Sequence, residues 1–122
     1  MNEQELAEIT AVFKACADPN RLRIFNALMD GDSCNCELRD NLGLAANLLS
    51  HHLKVLEKAG LVNSRRDTID GRWIYYAVNR DRITHWHGWM AAFFDPNRIQ
   101  ESVLCGPEGQ CRPKQPATAY IV

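Results

Sequence analysis

Cys34-Asn35-Cys36 sets two thiols two residues apart, with Gly31-Asp32-Ser33 in front of them and Glu37 behind. Inside a regular helix, side chains at i and i+2 point to different sides. At a helix start or in a loop both sulfurs can converge on one ion, and Gly31-Asp32-Ser33 favours that local geometry. A helix N-terminus also stabilises thiolate, the form that binds metal. Thiolates select soft or borderline centres: Zn(II), Cd(II), Pb(II), Cu(I) and trivalent arsenic or antimony. Two sulfurs do not complete a site. Trivalent arsenic takes three in a pyramid, whereas zinc and cadmium favour four. The chain holds three further cysteines, Cys16, Cys105 and Cys111.

These thiols sit among elements that the spacing of apolar residues defines. Leu6, Ile9, Val12, Phe13 and Cys16 predict a helix over residues 3–17. Asp18-Pro19 is a cap followed by proline at the first helical position. A second helix follows, with Leu22, Ile24, Phe25, Leu28 and Met29 on its buried side, ending at Gly31. Residues 37–42 read as a short helix, Gly43 as a turn, and residues 45–59 as a longer helix closed by a left-handed Gly60. Residues 61–66 and 72–78 read as strands, the second rich in aromatic and β-branched side chains. Asp67-Thr68-Ile69-Asp70-Gly71 turns between them, making a hairpin. A last helix spans residues 81–94. Beyond Asp95-Pro96, prolines at 107, 113 and 116 predict an extended tail.

The order is that of a winged helix-turn-helix, mainly α with a small β-hairpin wing. Residues 1–95 form the folded domain and residues 96–122 a Pro/Gly-rich tail carrying cysteines. A recognition helix offers its N-terminal, outward residues to base edges. Here those are Ala46, Asn47, Ser50 and His51, with Lys54 one turn on. Asn pairs bidentately with adenine, while Ser and His are less selective. Leu48, Leu49, Leu53 and Leu56 fall on the other side and are expected in the core. Arg65, Arg66 and Arg72 flank the hairpin turn, where they would reach phosphates or the minor groove. The plain alternative for those arginines is solvated surface charge.

Bulk composition narrows the classes. The 122 residues carry 14 Lys and Arg against 15 Asp and Glu, a net charge of -1, so DNA binding must rest on a local basic patch. A hydrophobic fraction of 46% is that of a folded chain. The acidic, polar start is no signal peptide and no apolar run would span a bilayer, so a cytoplasmic protein with no membrane partner is expected. In that reducing compartment the cysteines are not expected to form structural disulfides. An enzyme is not expected. The Cys-x-Cys pair has no thioredoxin-like βαβ pattern around it, and neither a phosphate loop nor a nucleophile elbow is present.

Asp18-Pro19-Asn20-Arg21-Leu22-Arg23-Ile24, Gly43-Leu44, Ser50-His51-His52-Leu53-Lys54-Val55-Leu56, Ala59-Gly60-Leu61-Val62 and Gly71-Arg72-Trp73-Ile74-Tyr75-Tyr76 resemble the ArsR/SmtB family of winged helix-turn-helix, metal(loid)-responsive repressors. The resemblance covers roughly residues 8–94. It implies a homodimer that reads two operator half-sites and leaves the DNA when occupied by its ligand. The first and last helices would form that interface, with Trp86, Trp89, Met90, Phe93 and Phe94 as its apolar surface. Trp73 is assigned to the wing and core. Ala45 stands where the family has a Ser or Thr helix cap, so that capping bond is missing. At the position of His52 the family packs the helix, and packing and phosphate contact both remain open for it.

The family's arsenic site resembles Cys34-Asn35-Cys36 with a third cysteine three residues on, where this chain has Arg39. The missing ligand must then come from Cys16, Cys105 or Cys111. Cys16 stands at a leucine position and is expected to be a buried small hydrophobe. Cys105 and Cys111, one or both, are expected to close over Cys34 and Cys36 from the tail. The family's zinc site on the last helix is not expected: Asp81 remains, but Ile83 follows two on, and His85 and His87 are off the pattern. As(III) is the expected inducer, with Cd(II), Pb(II) or Zn(II) as alternatives. The rival triggers are thiol oxidation or persulfidation; a more distant rival is structural zinc in a protein-interaction module.

Overall fold

Short polar side chains begin the helices. Asn2 accepts the Glu5 amide at the start of α1 (Glu3–Cys16), and Asp18 accepts the Asn20 and Arg21 amides at the start of α2 (Pro19–Met29). The Arg21 amide leads the interactions that hold the Asp18 carboxyl below its ordinary range. These contacts satisfy N–H groups that the helix cannot use itself. The computed structural model describes residues 1–101, 105, 106, 115 and 116. Two units divide the chain, Met1–Ile83 and Thr84–Val122.

In the first unit, β1 (Ser33–Cys34) runs directly into α3 (Asn35–Leu42), Gly43 takes the left-handed conformation, and α4 (Ala46–Lys58) follows. The strands β2 (Val62–Arg66) and β3 (Ile74–Val78) form the hairpin. β3 is the central strand of an antiparallel three-stranded sheet in the order β1-β3-β2, with Cys34 opposite Tyr75 and Arg65 opposite Tyr75 on the other side. The core takes Ile9, Val12 and Ala15 from α1, Ile24 and Leu28 from α2, Leu38 from α3, and Leu49, Leu53 and Leu56 from α4. Leu61, Val62 and Tyr76 close it beneath the wing. Arg80–Phe93 forms α5, whose first turn carries Arg82 in an ion pair with Glu8 at 3.1 Å.

Several expected core residues lie elsewhere. Leu22 and Met29 on α2 are 51% and 50% exposed, and Leu48 on α4 is 40% exposed. The buried stripe of α4 is Leu49, His52, Leu53 and Leu56. Leu48 stands about 100° around the helix from Leu49, off that stripe. His52 takes the place a fourth hydrophobe would have filled. Leu6 and Phe13, seven residues apart on α1, are also exposed, as is Trp73 at the wing.

In the second unit the rest of α5 carries a run of aromatic rings. His85 meets Trp86 edge to face, Trp86 meets Trp89, and Trp89 stacks on Phe93 with centroids 4.6 Å apart. Trp86 is buried, whereas Phe93 and Phe94 are exposed, so Trp86 departs from the expected open surface. A 3-10 turn at Pro96–Arg98 follows, capped by Asp95. The tail is extended in part: β4 (Gln100–Glu101) pairs antiparallel with β5 (Gln115–Pro116). No helix among the described residues is long and apolar enough to cross a membrane.

Candidate functional site

α4 presents Asn47, Ser50, His51 and Lys54 as an exposed stripe opposite its buried leucines, with Ala46 exposed in the first turn. Ala45 makes no side-chain cap bond, as its missing hydroxyl requires. His52 does not belong to the stripe. It is 5% exposed, and its Nδ1 accepts from Arg21 Nη1 at 3.2 Å. A guanidinium can only donate, so that nitrogen carries the lone pair and the imidazole serves as a core acceptor. Burial turns it away from any phosphate, which corrects its place among the DNA-contacting residues. Arg21 also donates from Nε to the Ala15 carbonyl at 2.7 Å and from Nη2 to Lys14, closing the end of α1.

Each wing arginine is exposed and has a neighbour in the chain. Arg65 lies over the Tyr75 ring at 4.6 Å, and Arg66 Nη1 donates to the Gly71 carbonyl at 2.6 Å. Arg72 pairs with Asp70 at 2.8 Å, and that guanidinium holds the Asp70 carboxyl below its ordinary range. An ion pair so exposed is screened by water and weak, so a phosphate can replace the carboxylate. Asp67 and Asp70 order the turn by accepting the amides of Asp70 and Arg72. Ile69 projects at its tip, 94% exposed.

Cys34 is both the last residue of β1 and the N-cap of α3, with φ -82° and ψ 164°. Its Sγ accepts the Glu37 amide at 3.4 Å and donates to the Glu37 carboxylate at 3.3 Å. The arrangement repeats a Ser-x-x-Glu capping box with sulfur in place of oxygen. α3 therefore starts at Asn35, two residues before the expected start. Cys34 is 5% exposed and Cys36, in the first turn, is half-buried; both are free thiols. Cys34, Glu37, Asn63, Arg65 and Tyr75 line a surface hollow of about 440 Å³.

Among the described residues no group of three or more His, Cys, Asp and Glu could hold a metal ion. Cys105 is exposed and disulfide-bonded, against the expectation that the cysteines stay unpaired. An exposed thiol is open to oxidation in a way a packed one is not. Cys111 lies outside the described residues. Cys16 is half-buried, as a free thiol that burial pushes up while the Arg21 charge opposes.

Sequence reasoning missed Asn35, which stands between the two thiols. Its Nδ2 donates to the Arg72 carbonyl at 3.2 Å, and its Oδ1 accepts the Ile74 amide at 3.4 Å. The only local signal was its residue type, one that both donates and accepts.

This geometry can be set beside known proteins. Residues 18–64 match the profile described as bacterial regulatory protein, arsR family. An HTH-type transcriptional regulator of Methanocaldococcus jannaschii, MJ1325, is 40% identical over 73 residues, 59% of this chain and 79% of that protein. The arsenical resistance operon repressor of Staphylococcus xylosus is 35% identical over 78 residues, 64% of this chain and 72% of that one. Among solved structures, HlyU from Vibrio cholerae N16961 superposes with a TM-score of 0.61 at 27% identity, over 76% of this chain and 98% of HlyU. With an exposed recognition helix, a hairpin wing and these relatives, the chain belongs to the arsR family of DNA-binding transcriptional regulators, and is not an enzyme.

Proposed function

We propose that the protein is a repressor that binds operator DNA as a homodimer and leaves it when a thiophilic metal or metalloid is held by cysteine thiolates. As(III) is the first candidate and Cd(II), Pb(II) and Zn(II) the alternatives. The observation that carries this reading is the position of Cys34, which caps α3 and pairs with the wing strand in one residue. A ligand that takes its sulfur acts on a helix of the reading head and on the wing together. Exposed Leu6 and Phe13 on α1, and exposed Phe93 and Phe94, are apolar surface that a second copy would cover.

A ligand favours release only by binding the DNA-incompetent dimer more tightly than the competent one. Two half-sites must register at once, so a small displacement of the reading head is enough. The remaining sulfurs are assigned to Cys105 and Cys111. Cys105 must first be reduced, because its sulfur is held in a disulfide.

The test is fluorescence anisotropy of an operator duplex with reduced, metal-free protein, titrated with arsenite, cadmium, lead and zinc. Release by one ion supports the reading and names the inducer. Indifference of a tight complex to every ion overturns the sensing of metals. The disulfide at Cys105 favours a second reading, in which oxidation or persulfidation of thiols is the trigger. Reversible loss of DNA binding on metal-free oxidation would select it.

Two variants probe the assigned parts. Cys105→Ser with Cys111→Ser is expected to remove the response while operator affinity of the free protein stays. A full response in that double variant rules out tail ligation. Asn47→Ala is expected to weaken operator binding by about 1–3 kcal/mol and relax base preference at one position per half-site. Competition with single-base operator variants measures it. Unchanged preference would remove Asn47 from base reading.

A further inference from the structure

The two thiols of Cys34-Asn35-Cys36 flank a side chain that grips the wing. Asn35 makes one bond to the carbonyl of Arg72 and another to the amide of Ile74, across sequence separations of 37 and 39 residues. The gripped segment brackets Trp73, where the hairpin turn becomes β3. Arg72 also carries an exposed guanidinium, which pairs with Asp70. One carboxamide thus joins the thiol pair to the backbone that aims a candidate phosphate contact.

We infer that Asn35 is the positioning residue that couples ligand occupancy of Cys34 and Cys36 to the wing. This rests on the release reading above and adds how release is transmitted. The Cys34 sulfur is engaged on both sides by Glu37, as acceptor of its amide and donor to its carboxylate. To ligate as thiolate it would release its proton to solvent, losing the bond to the carboxylate, and would turn toward an ion shared with Cys36. Drawing residues i and i+2 onto one ion rotates the residue between them. Its carboxamide then cannot keep both a donor on Arg72 and an acceptor for Ile74. The wing loses its anchor at the base of β3, while the backbone pairing of Cys34 with Tyr75 still holds the strand in the sheet.

The quantity to measure is the ratio of operator affinities without and with ligand, using cadmium or arsenite and reduced full-length protein. Sulfur-to-metal absorbance gives the bound stoichiometry in parallel. Couplings between sites are typically about 5–150-fold. The wild-type ratio is expected in that range, and Asn35→Ala is expected to bring it to within about twofold of unity at unchanged stoichiometry. Asn35→Asp keeps the acceptor for the Ile74 amide and loses the donor to Arg72, so an intermediate ratio is expected. Amide exchange at Ile74 supplies a second readout: ligand is expected to speed it in wild type, whereas in Asn35→Ala it is fast from the start.

A wild-type ratio retained in Asn35→Ala, or Ile74 exchange indifferent to ligand, overturns the role of Asn35 alone. A wild-type ratio of one, with the ion bound, overturns the release reading and the coupling together. Because each variant is judged by its own ratio, a general weakening of DNA binding cannot pass for a loss of coupling.

Discussion

Replacing both hinge thiols, Cys34→Ser with Cys36→Ser, is expected to leave operator binding in place and abolish its response to thiophilic ions. Serine is among the preferred residues at a helix N-cap, and its oxygen accepts the same amide that the Cys34 sulfur now accepts from Glu37. α3 should therefore persist. What disappears is the soft donor: a hydroxyl does not ligate arsenic, cadmium or lead as a thiolate does. A wild-type effect of about 5–150-fold on operator affinity should fall to within about twofold of unity. Anisotropy titrations of the two proteins side by side decide it. A double serine variant that still releases DNA on adding ion would move the sensing site away from the reading head.

The second large effect concerns stability. Leu56→Ala is expected to destabilise the first unit by about 2–5 kcal/mol, since Leu56 is fully buried at the end of the α4 stripe. Domains of this kind are held by about 5–15 kcal/mol in total, so the loss is a large fraction. Each kcal/mol lowers the melting midpoint by about 4–8 °C in a unit of this size. Leu48→Ala, about two turns earlier on the exposed flank, should change stability by no more than about 0.5 kcal/mol. Urea unfolding at one fixed protein concentration compares the pair. Equal losses in the two variants would contradict the assignment of Leu48 to the surface.

The helices were legible where local chemistry decides them. Asp18-Pro19, the left-handed Gly43 and Gly60, and the uncapped Ala45 all stand as their residue types require. The start of α3 was misplaced because sulfur is not among the usual cap atoms, although Cys34 fills that role. Leu22, Met29 and Leu48 show the limit of periodicity, which marks apolar residues and not the neighbours that cover them. His52 and Asn35 were beyond reach for a related reason: their partners, Arg21, Arg72 and Ile74, lie 31 to 39 residues away. The recognition stripe could be named from the helix pattern, whereas the ion pair between Asp70 and Arg72 depends on the bend of the turn. For the proposed thiol site, the pair Cys34 and Cys36 could be named from its spacing, whereas the assignment of further ligands to the tail had no periodicity to rest on.

The Arg21 guanidinium touches three helices: it grows from α2, closes the carbonyl end of α1 and holds the buried imidazole of α4. Such a rivet makes the recognition helix stiff against rocking on its own, since turning it would strip a donor from His52 and disturb two neighbours. On the other side of the reading head, α3 and the hairpin are joined through the Asn35 carboxamide and the pairing of Cys34 with Tyr75. Operator DNA held as proposed would meet a recognition helix pinned to its two neighbours, so a change that loosened the grip would have to act through the smaller joint between α3 and the wing.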